Sequence, residues 1–102
     1  MNRVEIEFCT QCKWLLRAAW VAQELLSTFP DELQEVALKP GKGGVFAVRL
    51  NGEVLADRAR DGGFPEAAAL KRAVRDRLDP ERALGHIDRA KKDGSDSTGS
   101  GA

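Results

Sequence analysis

Residues 3 to 8 alternate strictly, with Val4, Ile6 and Phe8 on one side and Arg3, Glu5 and Glu7 on the other. This is the two-residue period of a strand with one buried face. From residue 13 to 29 the period changes. Leu15, Ala18, Ala19, Ala22, Leu25, Leu26 and Phe29 recur at helical spacing, which predicts an amphipathic helix beginning at Cys9 and Cys12. Pro30 breaks it. Residues 33 to 39 alternate again, with Val36 and Leu38 expected inward, and Pro40-Gly41-Lys42-Gly43-Gly44 reads as a turn.

A third strand over 45 to 50 puts Phe46, Val48 and Leu50 on one face, and Asn51-Gly52 is the favoured two-residue hairpin signal leading into a strand over 53 to 57. Residues 58 to 63 read as a polar loop ending in glycine. Pro65 suits the first turn of a second helix, whose Ala67, Leu70, Val74 and Leu78 form an apolar stripe. Asp79-Pro80 looks like an N-cap opening one or two short turns that use Ala83, Leu84 and Ile87. Residues 93 to 102 offer nothing to bury and are expected to be disordered. No internal repeat is present. The order β-α-β-β-β-α implies a parallel first pair of strands joined by a right-handed crossover, with the hairpin extending the sheet. The simplest architecture is an α/β, thioredoxin-like two-layer sandwich, forming one domain over residues 1–92 with its core at about 3–78.

Composition narrows the function classes. At 102 residues and 42% hydrophobic content the chain suits one core. Sixteen Lys and Arg against sixteen Asp and Glu give zero net charge, which argues against a phosphate-neutralising nucleic-acid binder and a polybasic membrane-surface protein. No stretch approaches the roughly 18 apolar residues of a membrane span, and acids interrupt the N-terminus where a signal peptide needs an apolar run. A cytoplasmic protein is expected, as a monomer or weak homodimer.

The two cysteines are the only two in the chain and form Cys9-Thr10-Gln11-Cys12. So short a loop is a poor staple, because closing it removes little chain entropy. Between strand and helix, backbone N–H groups and the positive helix end would favour a thiolate, and a second sulfur could resolve a mixed disulfide made by the first. Lys13 and Arg17 add positive charge nearby. Two other readings stand beside redox chemistry: a buried, inert pair, and capture of Cu(I) or Zn(II) by the same thiolates. Copper-chaperone topology needs a strand after the second helix, which this chain does not offer. Zinc needs four ligands, against two cysteines and a distant His86; no metal ligand is assigned.

His86 reads as a solvated surface residue, and the glycines around Lys42 lack the order of a phosphate-binding loop. Trp20 falls on the polar stripe Lys13, Arg17, Glu24, Ser27. It is either covered by the segment around Leu84 and Ile87 or is an interaction surface. Trp14 either packs in the core or shields the sulfurs. Arg58, Arg60, Arg72, Arg75 and Arg77 are a solvated basic face or a weak seat for the carboxylates of glutathione.

Together Val4-Glu5-Ile6-Glu7-Phe8-Cys9-Thr10-Gln11-Cys12 with Trp14 to Ala19, Gly43 to Val48, Asn51-Gly52 and Gly62-Gly63-Phe64-Pro65-Glu66 resemble the selenoprotein W-like family, also called SelT/SelW/SelH or Rdx. The resemblance covers about residues 3–78. It implies a thioredoxin-like thiol or selenol oxidoreductase associated with glutathione, and protein partners in animal members. Selenocysteine in such relatives maps to Cys12. Thioredoxin logic instead makes Cys9 the solvent-side nucleophile and Cys12 the resolving sulfur, and this order is taken as the expectation. Thr10, Gln11, Lys13, Trp14, Gly44, Phe46 and Phe64 are the candidate binding residues, Gly43-Gly44 standing nearest to where thioredoxins place a cis-proline. The expected function is a thiol-disulfide oxidoreductase supplied by glutathione or a thioredoxin-type donor, with no resident cofactor. A redox-switched interaction module using Trp20, Phe46 and Phe64 is the alternative.

Overall fold

The computed structural model describes residues 1–85 and 88. Strand β1 (Arg3–Cys9) leads to helix α1 (Leu15–Thr28), strands β2 (Glu35–Gly41), β3 (Phe46–Leu50) and β4 (Glu53–Asp57), a single-turn helix α2 (Arg58–Asp61) and helix α3 (Ala67–Leu78). The four strands form one sheet in the order β2-β1-β3-β4. β1 and β2 are parallel, linked through α1, while β3 runs antiparallel to both β1 and β4. Asn51 and Gly52 have φ of 51° and 89°, the paired positive values that a type I′ hairpin requires.

The alternation of β1 and β3 sorts the two faces of the sheet. Val4, Ile6 and Phe8 join Phe46, Val48 and Leu50 on the buried face, against Ala18, Val21, Ala22 and Leu25 of α1 and Leu70 and Val74 of α3. Fully burying a side chain such as Ile6 or Val48 contributes about 1.5–3 kcal/mol. On the other face Arg49 donates to Glu5 at 2.9 Å and to Glu7 at 3.0 Å. Helices on one face and a charged lattice on the other make the thioredoxin-like two-layer sandwich.

Several local expectations need correction. The buried stripe of α1 is centred on Val21 and Ala22, so Leu15 and Leu26 flank it at 51% and 41% exposure. β2 starts at Glu35, with Leu33 buried ahead of it and Leu38 exposed, because an edge strand is covered less completely than its neighbours. Residues 58 to 61 are helical, not looped. Asp57 caps that turn by accepting from the Ala59 and Arg60 N–H groups at 3.0 and 3.3 Å, and Gly62 at φ 79° ends it. Pro65 precedes α3, whose N-cap position is Glu66. Asp79 closes α3 and opens a turn to Arg82, with no helix at residues 82 to 84. Arg82 reaches Glu32 at 2.8 Å and the Thr28 carbonyl at 2.7 Å, so this segment lies across the end of α1. His86, Ile87 and residues 93–102 lie outside the described residues.

Candidate functional site

β1 ends where its neighbours hold it. The Cys9 N–H donates to the Val45 carbonyl at 2.8 Å and the Thr10 N–H to the Gly41 carbonyl at 3.1 Å. The chain then turns through Thr10-Gln11-Cys12-Lys13, closed by the Lys13 N–H on the Thr10 carbonyl at 3.0 Å. Lys13 has φ 64°, a left-handed conformation that costs a side-chain-bearing residue about 1–2 kcal/mol. Its strain keeps the turn from merging into the helix. α1 therefore starts at Leu15, with Trp14 before it and no side-chain cap, so the cysteines do not sit at the helix mouth as the periodicity suggested.

The groups that stabilise a thiolate here come from the turn and from the start of β3. The Cys9 thiol is held below its ordinary value, first by the hydrogen bond from the Cys12 thiol and then, against burial, by the backbone N–H groups of Gly44, Cys12 and Gln11. Cys12 is pushed up, because its proton is engaged by Cys9 and because burial and the Cys9 charge oppose its ionisation; the Gly44 N–H and the Arg58 charge pull the other way. Gly44 thus serves both sulfurs, from a backbone at φ 77°. Accessibility divides the pair in the opposite sense from that expected. Cys9 is 1% exposed and Cys12 is half-buried, since Cys9 is still a strand residue while Cys12 rides the turn.

Beside the turn stands an aromatic platform. Trp14 and Phe64 meet edge to face with centroids 4.8 Å apart, and Phe46 lies 5.3 Å from Phe64 and 6.5 Å from Trp14. Arg17 sits 3.8 Å from the Phe64 centroid, and Arg58 sits 5.0 Å from that of Trp14 and 5.3 Å from that of Phe64. Phe46 is 1% exposed, so it supports the platform from beneath and cannot form part of a contact surface. A second surface borders the same turn: a groove of about 530 Å³ lined by Phe8, Thr10, Lys13, Leu15, Leu16 and Pro40.

Thr10, Gln11 and Lys13 are exposed on the turn, while Trp14 and Phe64 are half-buried. Trp20 is 51% exposed and far along α1 from the sulfurs. The basic cluster does not assemble as one face: Arg60 pairs with Asp61, Arg75 with Asp76 and Asp88, and Arg77 with Glu53. Of these arginines Arg58 reaches the site. The Leu15-Leu16 groove was missed, and its signal was Leu16, an apolar residue that falls off the helical stripe. Among the described residues no three His, Cys, Asp or Glu side chains converge as a metal site, and no helix is long and apolar enough to cross a membrane.

A thioredoxin-like sandwich whose first strand delivers a cysteine pair into a turn defines a dithiol domain of redox-related role. Within that class the chain belongs to the Rdx family, whose sequence profile matches residues 3–76. It is similar to the crystal structure of a protein from Bordetella parapertussis, 65% identical over 76% of this chain and 98% of that one, with a TM-score of 0.74. It is also similar to a selenoprotein W-related protein from Vibrio cholerae, 50% identical with the same coverage and a TM-score of 0.75. No curated protein matches the chain.

Proposed function

We propose that the protein is a thiol-disulfide oxidoreductase that cycles between the Cys9-Cys12 dithiol and its disulfide, with electrons from glutathione or a thioredoxin-type donor. The supporting observation is the division between the sulfurs: Cys12 is half-buried on the turn, whereas Cys9 is buried at the end of β1 with its thiol held below the ordinary value. Cys12 attacks one sulfur of a substrate R–S–S–R′ as its proton passes to Cys9. The substrate S–S bond breaks and R′–S⁻ leaves. Cys9 then attacks the Cys12 sulfur of the mixed disulfide, its proton going to the departing R–S⁻. The protein dithiol is oxidised by two electrons and the substrate disulfide is reduced by two. Two donor thiols reverse the change, leaving as their own disulfide. This order places Cys12 first, in contrast to the expectation that Cys9 faces solvent.

Equilibration in a series of glutathione redox buffers, followed by alkylation and intact mass, tests the reading. A reversible two-electron transition within the glutathione range is expected. A pair that stays reduced throughout would contradict it. Exposed Trp20 favours a second reading, a redox-switched interaction module without turnover. In that case Trp20→Ala abolishes partner capture, and Cys9→Ser leaves no reductase activity to lose.

A further inference from the structure

Two arginines at the site lack the carboxylate that most other arginines have found. Arg3, Arg49, Arg60, Arg75, Arg77 and Arg82 each pair with an acid. Among the described residues Arg17, Arg58 and Arg72 have no such pair, and of these Arg17 and Arg58 stand at the platform. Both guanidinium carbons instead lie within 5.3 Å of the Phe64 centroid. The Arg58 Nε is also buried without a hydrogen-bond partner, an arrangement that costs free energy unless something compensates the charge. The acids nearest Arg58 in sequence are engaged elsewhere: Asp57 caps α2, and Asp61 holds Arg60 at 2.7 Å and the Asp57 N–H at 2.9 Å. Arg58 cannot swing freely, because it opens α2 and its guanidinium rests over Trp14 at 5.0 Å.

We infer that Arg17 and Arg58, stacked on the Trp14–Phe64 platform beside Cys12, form a seat for a carboxylate of a small anionic disulfide, and so select such substrates over neutral or cationic ones. The inference rests on the oxidoreductase reading and adds the substrate class. A carboxylate placed there takes charge-assisted hydrogen bonds from a guanidinium already fixed in position, so little side-chain entropy is lost on binding. The apolar groove offers an anion one cation, Lys13, and no aromatic stack. Charge selection therefore belongs to the platform. Attack by Cys12 then proceeds as described above, the seat changing which disulfide is held and not which bonds form.

The test follows formation of the Cys9-Cys12 disulfide by intact mass after mixing the reduced protein with one disulfide at a time. Glutathione disulfide is the anionic probe, hydroxyethyl disulfide the neutral one and cystamine the cationic one. The native chain should react in that order, with the differences shrinking as salt is raised. Arg58→Gln should lower the anionic-to-neutral rate ratio roughly three- to tenfold, and Arg17→Gln should lower it less. Taking the ratio removes any change in sulfur reactivity common to all three probes. Equal rates with the three probes in the native chain, or an unchanged ratio in both variants, would overturn the seat while leaving the oxidoreductase reading intact. Reaction with none of the three would overturn both.

Discussion

Two surfaces meet at the Thr10–Lys13 turn, and they differ in almost every physical respect. The platform of Trp14, Phe46 and Phe64 is packed edge to face, anchored on a fully buried ring and topped by two guanidinium groups. The groove along Leu15, Leu16 and Pro40 is open and apolar, and Leu16 is 82% exposed. One surface is continuous with the core, and its geometry is set before any ligand arrives. The other is built, apart from Phe8 at its base, from side chains that the core does not use. Rigid, charged recognition is expected where packing supports it, and adaptable apolar contact where it does not.

Breaking the support of the platform should have the largest effect. Phe46→Ala removes a buried ring on which Trp14 and Phe64 rest, and urea unfolding should show a loss of about 3–5 kcal/mol. Next comes Gly44→Ala. A Cβ there meets nothing within 4 Å, but φ of 77° should cost about 1–2 kcal/mol in the same assay. A loss far below that would mean the backbone relaxes, which would also move the N–H away from the sulfurs. Cys12→Ala should leave stability nearly unchanged yet raise the pH at which the Cys9 thiolate absorbs in the ultraviolet, because the leading cause of its lowered value is the Cys12 S–H. Cys12→Ser, which keeps a donor, should raise it less. On the groove side, Leu16→Ala should change stability by no more than about 0.5 kcal/mol. A larger loss would show that the groove belongs to the core after all.

Much of this was legible in the sequence, and the omissions have a common cause. The alternation of Val4, Ile6 and Phe8 and the Asn51-Gly52 pair are local signals, and the sheet follows from them. The cysteine pair and Gly62-Gly63-Phe64-Pro65-Glu66 pointed to the family for the same reason. The helix start was misplaced because nothing in a lysine announces the left-handed turn at Lys13. Which sulfur is buried depends on Val45 and Gly41 holding the end of β1, a tertiary fact. Arg58, Arg60, Arg72, Arg75 and Arg77 look alike in sequence. Only the fold shows that Asp88 and Glu53 claim Arg75 and Arg77 while Arg58 faces the platform.

The central claim is the division of labour between an accessible Cys12 and a buried, stabilised Cys9. It is tested most directly by mixing Cys9→Ser and Cys12→Ser variants separately with hydroxyethyl disulfide and reading the intact mass over time. The Cys9→Ser protein should accumulate a stable mixed disulfide on Cys12, and the Cys12→Ser protein should form little adduct. Rapid adduct formation on Cys9 with none on Cys12 would contradict the account and restore the thioredoxin order of attack.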